Sequence, residues 1–155
     1  MSTVSEYIQL LTKISNDLPE EVGRIIKRNE GKILTMIKLR LYQTGIDGDG
    51  NLIGNYSSYT KKRKKDKGQP AAHITLRDTG EFYSSLFTTF NGEELFIHSS
   101  SDKAPMLVEE YGEAILELTE QEINIILDGI VEPQINKYIS DNLPEVIDFG
   151  FNAGD

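Results

Sequence analysis

The strongest constraint on the fold is a hairpin signal near the middle of the chain. Asn91-Gly92 lies between two β-rich runs, residues 87–90 and 95–98. Asn-Gly is favoured in tight hairpins because both residues readily adopt positive φ. Two glutamates follow the glycine and allow a longer loop. The sequence therefore predicts an antiparallel strand pair, which needs helices to cover its apolar face.

The segment that leads into the hairpin, residues 73–90, reads HITLRDTGEFYSSLFTTF. Ile74 and Leu76 alternate with polar neighbours, which is typical of a short strand. Asp78 or Thr79 then predicts the N-terminal cap of a short helix. Aspartic proteases also carry an Asp-Thr-Gly triplet, but this chain has no second triplet to form a carboxylate pair. We therefore interpret the segment as an architectural joint that sets the short helix against the sheet.

The N-terminal apolar residues recur at three- and four-residue spacing, which predicts an amphipathic helix. This stripe begins at Tyr7 and continues to Leu41. Asp17 and Pro19 predict a restart within it, because aspartate can cap a new helix and proline is tolerated in a first turn. Gly31 weakens the second part without ending it. We expect a long or kinked helix that lies across the sheet.

Three signals predict helices after the hairpin. Pro105 favours the first turn of a short helix. Thr119 and Glu122 form a capping box, in which each side chain accepts from the other residue's backbone N–H. The helix that this box opens contains Pro133, which predicts a kink or a break. Residues 148–155 are predicted to form a C-terminal tail.

Together these elements predict one α+β domain over residues 1–147, because 155 residues suit a single domain. Its small antiparallel β-sheet would be packed by a long N-terminal helix, a short central helix and a C-terminal helix. Residues 44–58 hold four glycines and show no helical period, and a basic run follows them. We predict an extended loop or hairpin over residues 44–72.

Charge divides the chain into two halves of opposite sign. Residues 1–80 carry 14 Lys and Arg against 9 Asp and Glu, whereas residues 81–155 carry 2 against 16. The halves therefore have net charges of +5 and −14, which sum to the −9 of the whole chain. One interpretation is solvated charge that clusters by chance. The other is a head-to-tail interface, in which a basic face of one copy meets an acidic face of the next.

The basic half contains a dense run of cations with two tyrosines just ahead of it. Such a run can contact nucleic acid, bind a protein partner or simply be solvated. The acidic half of another copy is one available partner, and no recognition helix or finger motif accompanies the run. The candidate contacts are Tyr56, Tyr59, Lys61, Lys62, Arg63, Lys64, Lys65 and Lys67 on the basic side, and Glu109, Glu110 and Glu113 on the acidic side.

The sequence indicates no catalytic, cofactor-binding or metal-binding residues. It has no cysteine and lacks the phosphate loop and the common hydrolase motifs. A hydrolase that uses His73 or His98 with nearby carboxylates is the weakest hypothesis. Asp47, Asp49 and Asn51 resemble the first ligands of an EF-hand loop, whose later glycine and glutamate are missing here. No apolar stretch approaches the ~20 residues of a membrane span, so we expect no membrane contact.

Three stretches share the order and spacing of motifs in a known family. Residues 56–68, YSSYTKKRKKDKG, are similar to its segment of an aromatic residue, Ser/Thr and lysines. Residues 74–86, ITLRDTGEFYSSL, are similar to its hydrophobic-x-x-Thr-Gly-x-hydrophobic-x-x-Ser pattern. The strand at 95–98, the Tyr-Gly segment at 106–112 and the run ILELTEQEINII follow in the same order. Together they resemble the tailed-bacteriophage tail-completion and head–tail joining proteins, including the phage virion morphogenesis family.

The resemblance implies an α+β subunit that is assembled in the host cytoplasm and forms a ring in the neck or tail of the virion. It implies six- or twelve-fold homo-oligomers, with portal, connector or tail proteins of the same virion as partners. DNA in the lumen is a further implied contact, without sequence specificity. The chain departs from the family at Tyr56, where many members have tryptophan, and at Glu113-Ala114, where a Pro-Arg pair is usual. The alternative hypothesis is a nucleic-acid-binding module without sequence specificity that uses residues 61–67.

Overall fold

The chain begins with two consecutive helices. The computed structural model describes residues 2–145 together with residues 147 and 148. Helix α1 spans Val4–Arg28 and helix α2 spans Glu30–Thr44. α1 starts at a capping box, in which Thr3 Oγ1 accepts from the Glu6 N–H and the Glu6 carboxylate accepts from the Thr3 N–H.

The break between these helices falls at Asn29, not at Pro19 as the sequence predicts. Pro19 lies inside α1, where it leaves the carbonyl of Ser15 without its helical donor. Ser15 is exposed, so water can satisfy that carbonyl. Asn29 instead ends α1 with φ −107° and ψ 12°, and its side-chain amide donates to the Ile25 carbonyl at 2.7 Å. The prediction of a long or kinked N-terminal helix is confirmed, with the break in a different place.

The predicted hairpin is confirmed. Strands β2 (Leu86–Phe90) and β3 (Leu95–Ser99) pair antiparallel, with Phe90 opposite Leu95. Asn91 Oδ1 accepts from the backbone N–H groups of residues 93 and 94, at 2.9 and 2.8 Å, so the loop is longer than a two-residue turn.

A second, short strand pair joins the two ends of the described chain. Strand β1 (Ser2–Thr3) pairs in parallel with strand β4 (Ile147–Asp148). Asp148, the first residue of the predicted tail, therefore belongs to a strand. The rest of that predicted tail, residues 149–155, lies outside the described residues.

The prediction of a strand at residues 74–76 is wrong. Leu76 has a φ of 59°, and the backbone around it is fixed by side chains rather than by a strand partner. The Tyr56 hydroxyl accepts from the Thr75 N–H at 2.9 Å, and the Tyr83 hydroxyl donates to the Thr75 carbonyl. These bonds use the groups that a strand would pair. Helix α4 (Glu81–Ser84) follows, with Gly80 rather than the predicted aspartate or threonine as its N-cap residue.

The predicted loop at residues 44–72 contains a helix, so that prediction is wrong for the basic run. Helix α3 spans Ser58–Asp66 and carries this run. Ser57 caps it, because its Oγ accepts from the Thr60 N–H at 3.3 Å. Arg63, Lys64 and Lys65 lie in its last turn, where cations interact favourably with the helix dipole.

The glycine-rich part of this segment is a turn, as predicted. Asp47 Oδ1 accepts from the N–H groups of Asp49 and Asn51, both at 3.0 Å. Gly48 packs directly against the chain near Glu117, where an added Cβ would lie 2.6 Å from the Glu117 Cβ. The Gly48 N–H donates to the Ala114 carbonyl at 2.8 Å. A glycine is therefore required for the turn to approach this closely.

The C-terminal part of the described chain is helical. Helix α5 (Ala104–Tyr111) has Pro105 in its first turn, as predicted, and a 3₁₀ turn spans Glu113–Leu116. Helix α6 (Glu120–Ile126) begins at the predicted capping box. A π-helical segment (Leu127–Val131) leads into helix α7 (Glu132–Asn142), whose first turn contains a proline. The α-helical hydrogen-bond pattern is thus interrupted just before Pro133, which cannot donate to the carbonyl of residue 129, but the backbone stays helical and the predicted break does not occur.

The core forms where α2 meets the hairpin, α4 and the C-terminal helices. Ile33, Ile37 and Leu41 recur every four residues on one face of α2, and each is fully buried. The other buried members are Ile26, Leu34, Phe82, Tyr83, Leu86, Ile97, Ala104, Ile115 and Ile126. The fold is thus α+β, as predicted. None of the described helices is both long enough and apolar enough to cross a membrane.

Candidate functional site

Helix α3 divides the basic run into two faces. Thr60, Arg63, Lys64 and Lys67 are spaced by three or four residues and share one side. We call this side the inner face, because it lines a cleft of about 290 Å³ between α3, residues 74–81 and α5. The outer face carries Lys61, Lys62 and Lys65, none of which lines this cleft. Tyr59, which does not line the cleft either, lies in the first turn of α3.

The inner face contains a buried lysine. Lys64 is 8% exposed, and its ammonium donates to the Arg77 carbonyl. The same ammonium lies 5.1 Å from the centre of the Tyr56 ring, an attractive cation–π contact. Tyr56 is itself fixed, because its hydroxyl lies 3.1 Å from Thr75 Oγ1. Two of the predicted contact residues therefore build the wall of the cleft and are not free surface groups.

The cleft is strongly basic. Of the residues that the structure describes, five with cationic side chains line it against two carboxylates, those of Asp78 and Glu81. Asp78 Oδ1 lies 3.6 Å from Lys67 Nζ, and Glu81 Oε2 accepts from Ser101 Oγ at 2.7 Å. The other four cationic side chains are Arg63, Lys64, Arg77 and Lys103, and none of them forms an ion pair within the described part of the chain.

The sequence did not predict two of these cleft residues. Arg77 and Lys103 lie far from the basic run in sequence, and only the fold brings them beside it. The helix itself had a readable signal, because Ser57 is a favoured N-cap residue. Once α3 is recognised as a helix, the three- and four-residue spacing of its side chains assigns each cation to the inner or the outer face.

The second surface is an apolar groove with an acidic rim. This groove, of about 1000 Å³, lies between the hairpin, α1 and the segments from α5 to the π-helical segment. Phe96, Ile123 and Leu127 line it and are 42%, 43% and 48% exposed. Its rim carries four exposed carboxylates, from Glu93, Glu94, Glu113 and Glu117. Among the described residues that line the groove there is no lysine or arginine.

One of the three acidic residues predicted as contacts lines the groove. Glu113 lies on its rim, whereas Glu109 and Glu110 lie exposed on α5 and line neither surface. Glu110 acts instead on the next residue. Burial, and then the Glu110 carboxylate, raise the pKa of Tyr111, which lines the basic cleft.

The two histidines lie in different parts of the fold. His73 Nε2 lies 2.8 Å from the Tyr42 carbonyl oxygen, and His98 Nε2 lies 2.7 Å from Thr89 Oγ1 on the neighbouring strand. His98 lines the groove and stacks on Phe87 at a centroid distance of 5.3 Å. Across residues 2–145, 147 and 148, no cluster of three or more His, Asp or Glu residues is arranged to hold a metal ion.

Comparison of the chain with protein-family models, curated proteins and solved structures found no match. The resemblance to the bacteriophage family therefore remains a prediction. The cleft, the outer face of α3 and the acidic groove are the observations from which a function can be argued.

Proposed function

We propose that this chain is a structural subunit that assembles head-to-tail with copies of itself. The outer face of α3 in one copy would pack into the acidic groove of the next. The observation that carries this proposal is that one molecule has both a basic helix face, with Lys62 and Lys65 exposed and Lys61 half-buried, and an open apolar groove with four glutamates on its rim. Contacts between two different surfaces close into rings or extend as filaments.

The two surfaces match in chemistry as well as in charge. Tyr59 is 72% exposed, and tyrosine is a frequent interface anchor because it combines an apolar ring with a polar end. In the neighbouring copy its ring would contact the apolar floor of the groove, while the outer-face lysines would meet the glutamates on the rim. Complementary charge of this kind fixes the register of an interface and speeds association.

The setting of the assembly comes from the resemblance. We propose a ring in the neck or tail of a tailed bacteriophage, six- or twelve-fold, in contact with portal, connector or tail proteins. The order of motifs from residue 56 to residue 126 supports this setting. The two surfaces support the mode of assembly independently of it.

Charge reversal tests the proposed interface. One variant reverses the outer face (Lys61→Glu, Lys62→Glu, Lys65→Glu), and a second reverses the rim (Glu93→Lys, Glu94→Lys, Glu117→Lys). Because like charges would then face each other, we expect each variant alone to associate at least ~100-fold more weakly than the original chain. An equimolar mixture should assemble again, since each new surface matches its counterpart on the other variant. Sedimentation velocity and electron-microscopic class averages measure both results.

A matched control reverses three lysines that lie outside both surfaces, namely Lys13, Lys32 and Lys38. This control changes the net charge by as much as the outer-face variant, and we expect it to assemble normally. Assembly of either reversed variant at full strength would overturn the proposed interface. A wild-type protein that stays monomeric at high concentration, alone and with neighbouring neck proteins, would overturn the proposed function itself.

A second candidate function is nucleic-acid binding through the same outer face. Its three lysines form no ion pairs within the described residues, and the exposed Tyr59 could stack on a base. Single-stranded DNA should then bind with an affinity that falls steeply with salt and is lost in the outer-face variant. The rim variant separates the two functions, because it would keep DNA binding while it loses self-assembly. No binding at low salt would dismiss this candidate.

A further inference from the structure

We infer that the cleft on the inner face of α3 is a binding site for a phosphate group. Its ligand would be held by the side chains of Arg63, Arg77 and Lys103. This site is distinct from the assembly surfaces, since the outer-face lysines do not line the cleft.

The charge of the cleft is unbalanced. Both of its carboxylates already have partners, Lys67 for Asp78 and Ser101 for Glu81. The guanidinium of Arg63 lies 5.8 Å from the Tyr59 ring and that of Arg77 lies 5.5 Å from the Tyr42 ring. These contacts orient the two guanidinium groups without neutralising them. A phosphate would supply the negative charge, and arginine binds its oxygens in a planar, bidentate manner.

The buried ammonium of Lys64 is a further positive charge at the cleft that no carboxylate compensates within the described residues. Lys64 is 8% exposed, and the hydrogen-bond partner of its ammonium within the described chain is the Arg77 carbonyl. A buried ammonium is costly unless a negative charge compensates it. An anion in the cleft would lie against this wall and supply that compensation.

The backbone beside the cleft is held in a strained conformation. Leu76, which lines the cleft, has a φ of 59°. Non-glycine residues adopt such a φ only where their surroundings impose it, and such residues cluster at ligand sites. Here Thr75 is fixed by Tyr56 and Tyr83, and the Arg77 carbonyl is fixed by Lys64. These hydrogen bonds therefore fix the backbone in the conformation that places Arg77 at the cleft.

The size and lining of the cleft favour a phosphate that carries an organic group. A volume of about 290 Å³ exceeds the space that one phosphate occupies, and Leu107 and Phe82 provide apolar wall beside the cations. Thr79 and Tyr111 add hydroxyl groups. The phosphate could belong to a nucleic-acid backbone or to a free phosphate compound, and both present the same oxyanion.

Calorimetric titration of the full chain tests this site with three probes: inorganic phosphate, pyrophosphate and a short single-stranded oligonucleotide. We expect at least one probe to bind and to lose about tenfold or more of its affinity in Arg77→Gln and in Lys103→Gln. Lys103 is exposed, so its variant keeps the test valid if Arg77→Gln unfolds. The matched control neutralises the outer face with Lys61→Gln, Lys62→Gln and Lys65→Gln, and a probe that the cleft holds should bind this control as tightly as it binds wild type.

The probes distinguish the source of the phosphate. Binding of the oligonucleotide alone assigns the cleft to a nucleic-acid backbone, whereas binding of phosphate or pyrophosphate alone assigns it to a free compound. No binding of any probe at low salt would overturn the inference, and so would equal affinity in the cleft variants and the wild type. Stronger binding of a glutamate-rich peptide than of every phosphate would also overturn it. The rim variant does not enter this result and the outer-face lysines enter only through the control, so its failure can be told apart from failure of the assembly test.

Discussion

Replacement of Arg40 by methionine is expected to lower the free energy of unfolding by about 3–5 kcal/mol. Arg40 and Glu122 form an ion pair whose side chains are 10% and 11% exposed. Arg40 also donates to the carbonyls of Ile46 and Glu117, both at 2.9 Å. One guanidinium thus joins α2, the glycine-rich turn and the start of α6. Its loss would leave a buried carboxylate without its counter-charge and two carbonyls without their donor.

The loss of stability should be smaller when Glu122, rather than Arg40, is replaced. In the capping box the Thr119 N–H donates to the Glu122 carboxylate at 2.9 Å, and the amide oxygen of Glu122→Gln can accept this bond. The variant also leaves intact the two bonds from Arg40 to backbone carbonyls. We therefore expect a smaller loss, about 2 kcal/mol. The double variant should cost less than the sum of the two single changes, because both remove the same contact. Urea unfolding at neutral pH measures all three.

An exposed ion pair provides the control for this prediction. Lys137 Nζ lies 2.6 Å from Asp141 Oδ2, and these side chains are 75% and 57% exposed. Lys137→Met should change stability by no more than about 0.5 kcal/mol, the usual value of such pairs. If Arg40→Met were as mild as this control, the buried ion pair would not hold the turn to the helices.

The sequence predicted those elements whose signals are local. The hairpin follows from Asn91-Gly92, the start of α6 from its capping box, and the π-helical interruption from Pro133. Each of these signals acts within a few residues, so no knowledge of the rest of the fold is required.

The errors arose where distant side chains decide the local structure. Ile74 and Leu76 alternate as in a strand, yet Tyr56 and Tyr83 take the backbone groups of Thr75. The basic run has no apolar stripe, and its buried face depends on a lysine packed against a tyrosine. Hydrophobic periodicity cannot detect such a helix, because the residue it buries is charged.

The candidate surfaces show the same limit. The charge split indicated opposed basic and acidic regions, and the structure has both. The sequence did not indicate that α3 has two separate basic faces, or that Arg77 and Lys103 join the inner one. A charge count reports how many cations a segment has. Only the backbone path reports which of them face the same cavity.

Acid is expected to destabilise the fold through Glu30, at the junction of α1, α2 and β2. Its Oε2 accepts from the Thr88 N–H at 2.9 Å, from Thr88 Oγ1 at 2.5 Å and from Lys27 Nζ at 2.8 Å. Burial alone would raise the pKa of this carboxyl, but the hydrogen bonds from Lys27 and Thr88 together outweigh it and lower the pKa from 4.5 to about 2. The ionised carboxylate is thus bound more tightly in the folded chain than in the unfolded chain.

The sign of the pH dependence follows from this difference. The folded-state pKa lies below the unfolded value, so the stabilisation is complete above about pH 4.5 and is lost as the pH falls through about 2. We expect Glu30 to contribute about 2–3 kcal/mol at neutral pH. Glu30→Gln should therefore be less stable than wild type by a constant amount from pH 7 to about 4.5, and the difference should shrink from there towards pH 2. Urea unfolding of both proteins across this range measures it.

Thr88→Val provides a graded control, because it removes the hydroxyl donor and keeps the backbone N–H that also binds Glu30. Its pH dependence should lie between those of the wild type and Glu30→Gln. A constant difference between wild type and Glu30→Gln from pH 7 to pH 2 would show that the carboxylate does not titrate as these contacts require. Because Thr88 belongs to the hairpin whose Phe90 and residues 93–98 line the acidic groove, the same acid range should also weaken self-assembly if that groove is the interface.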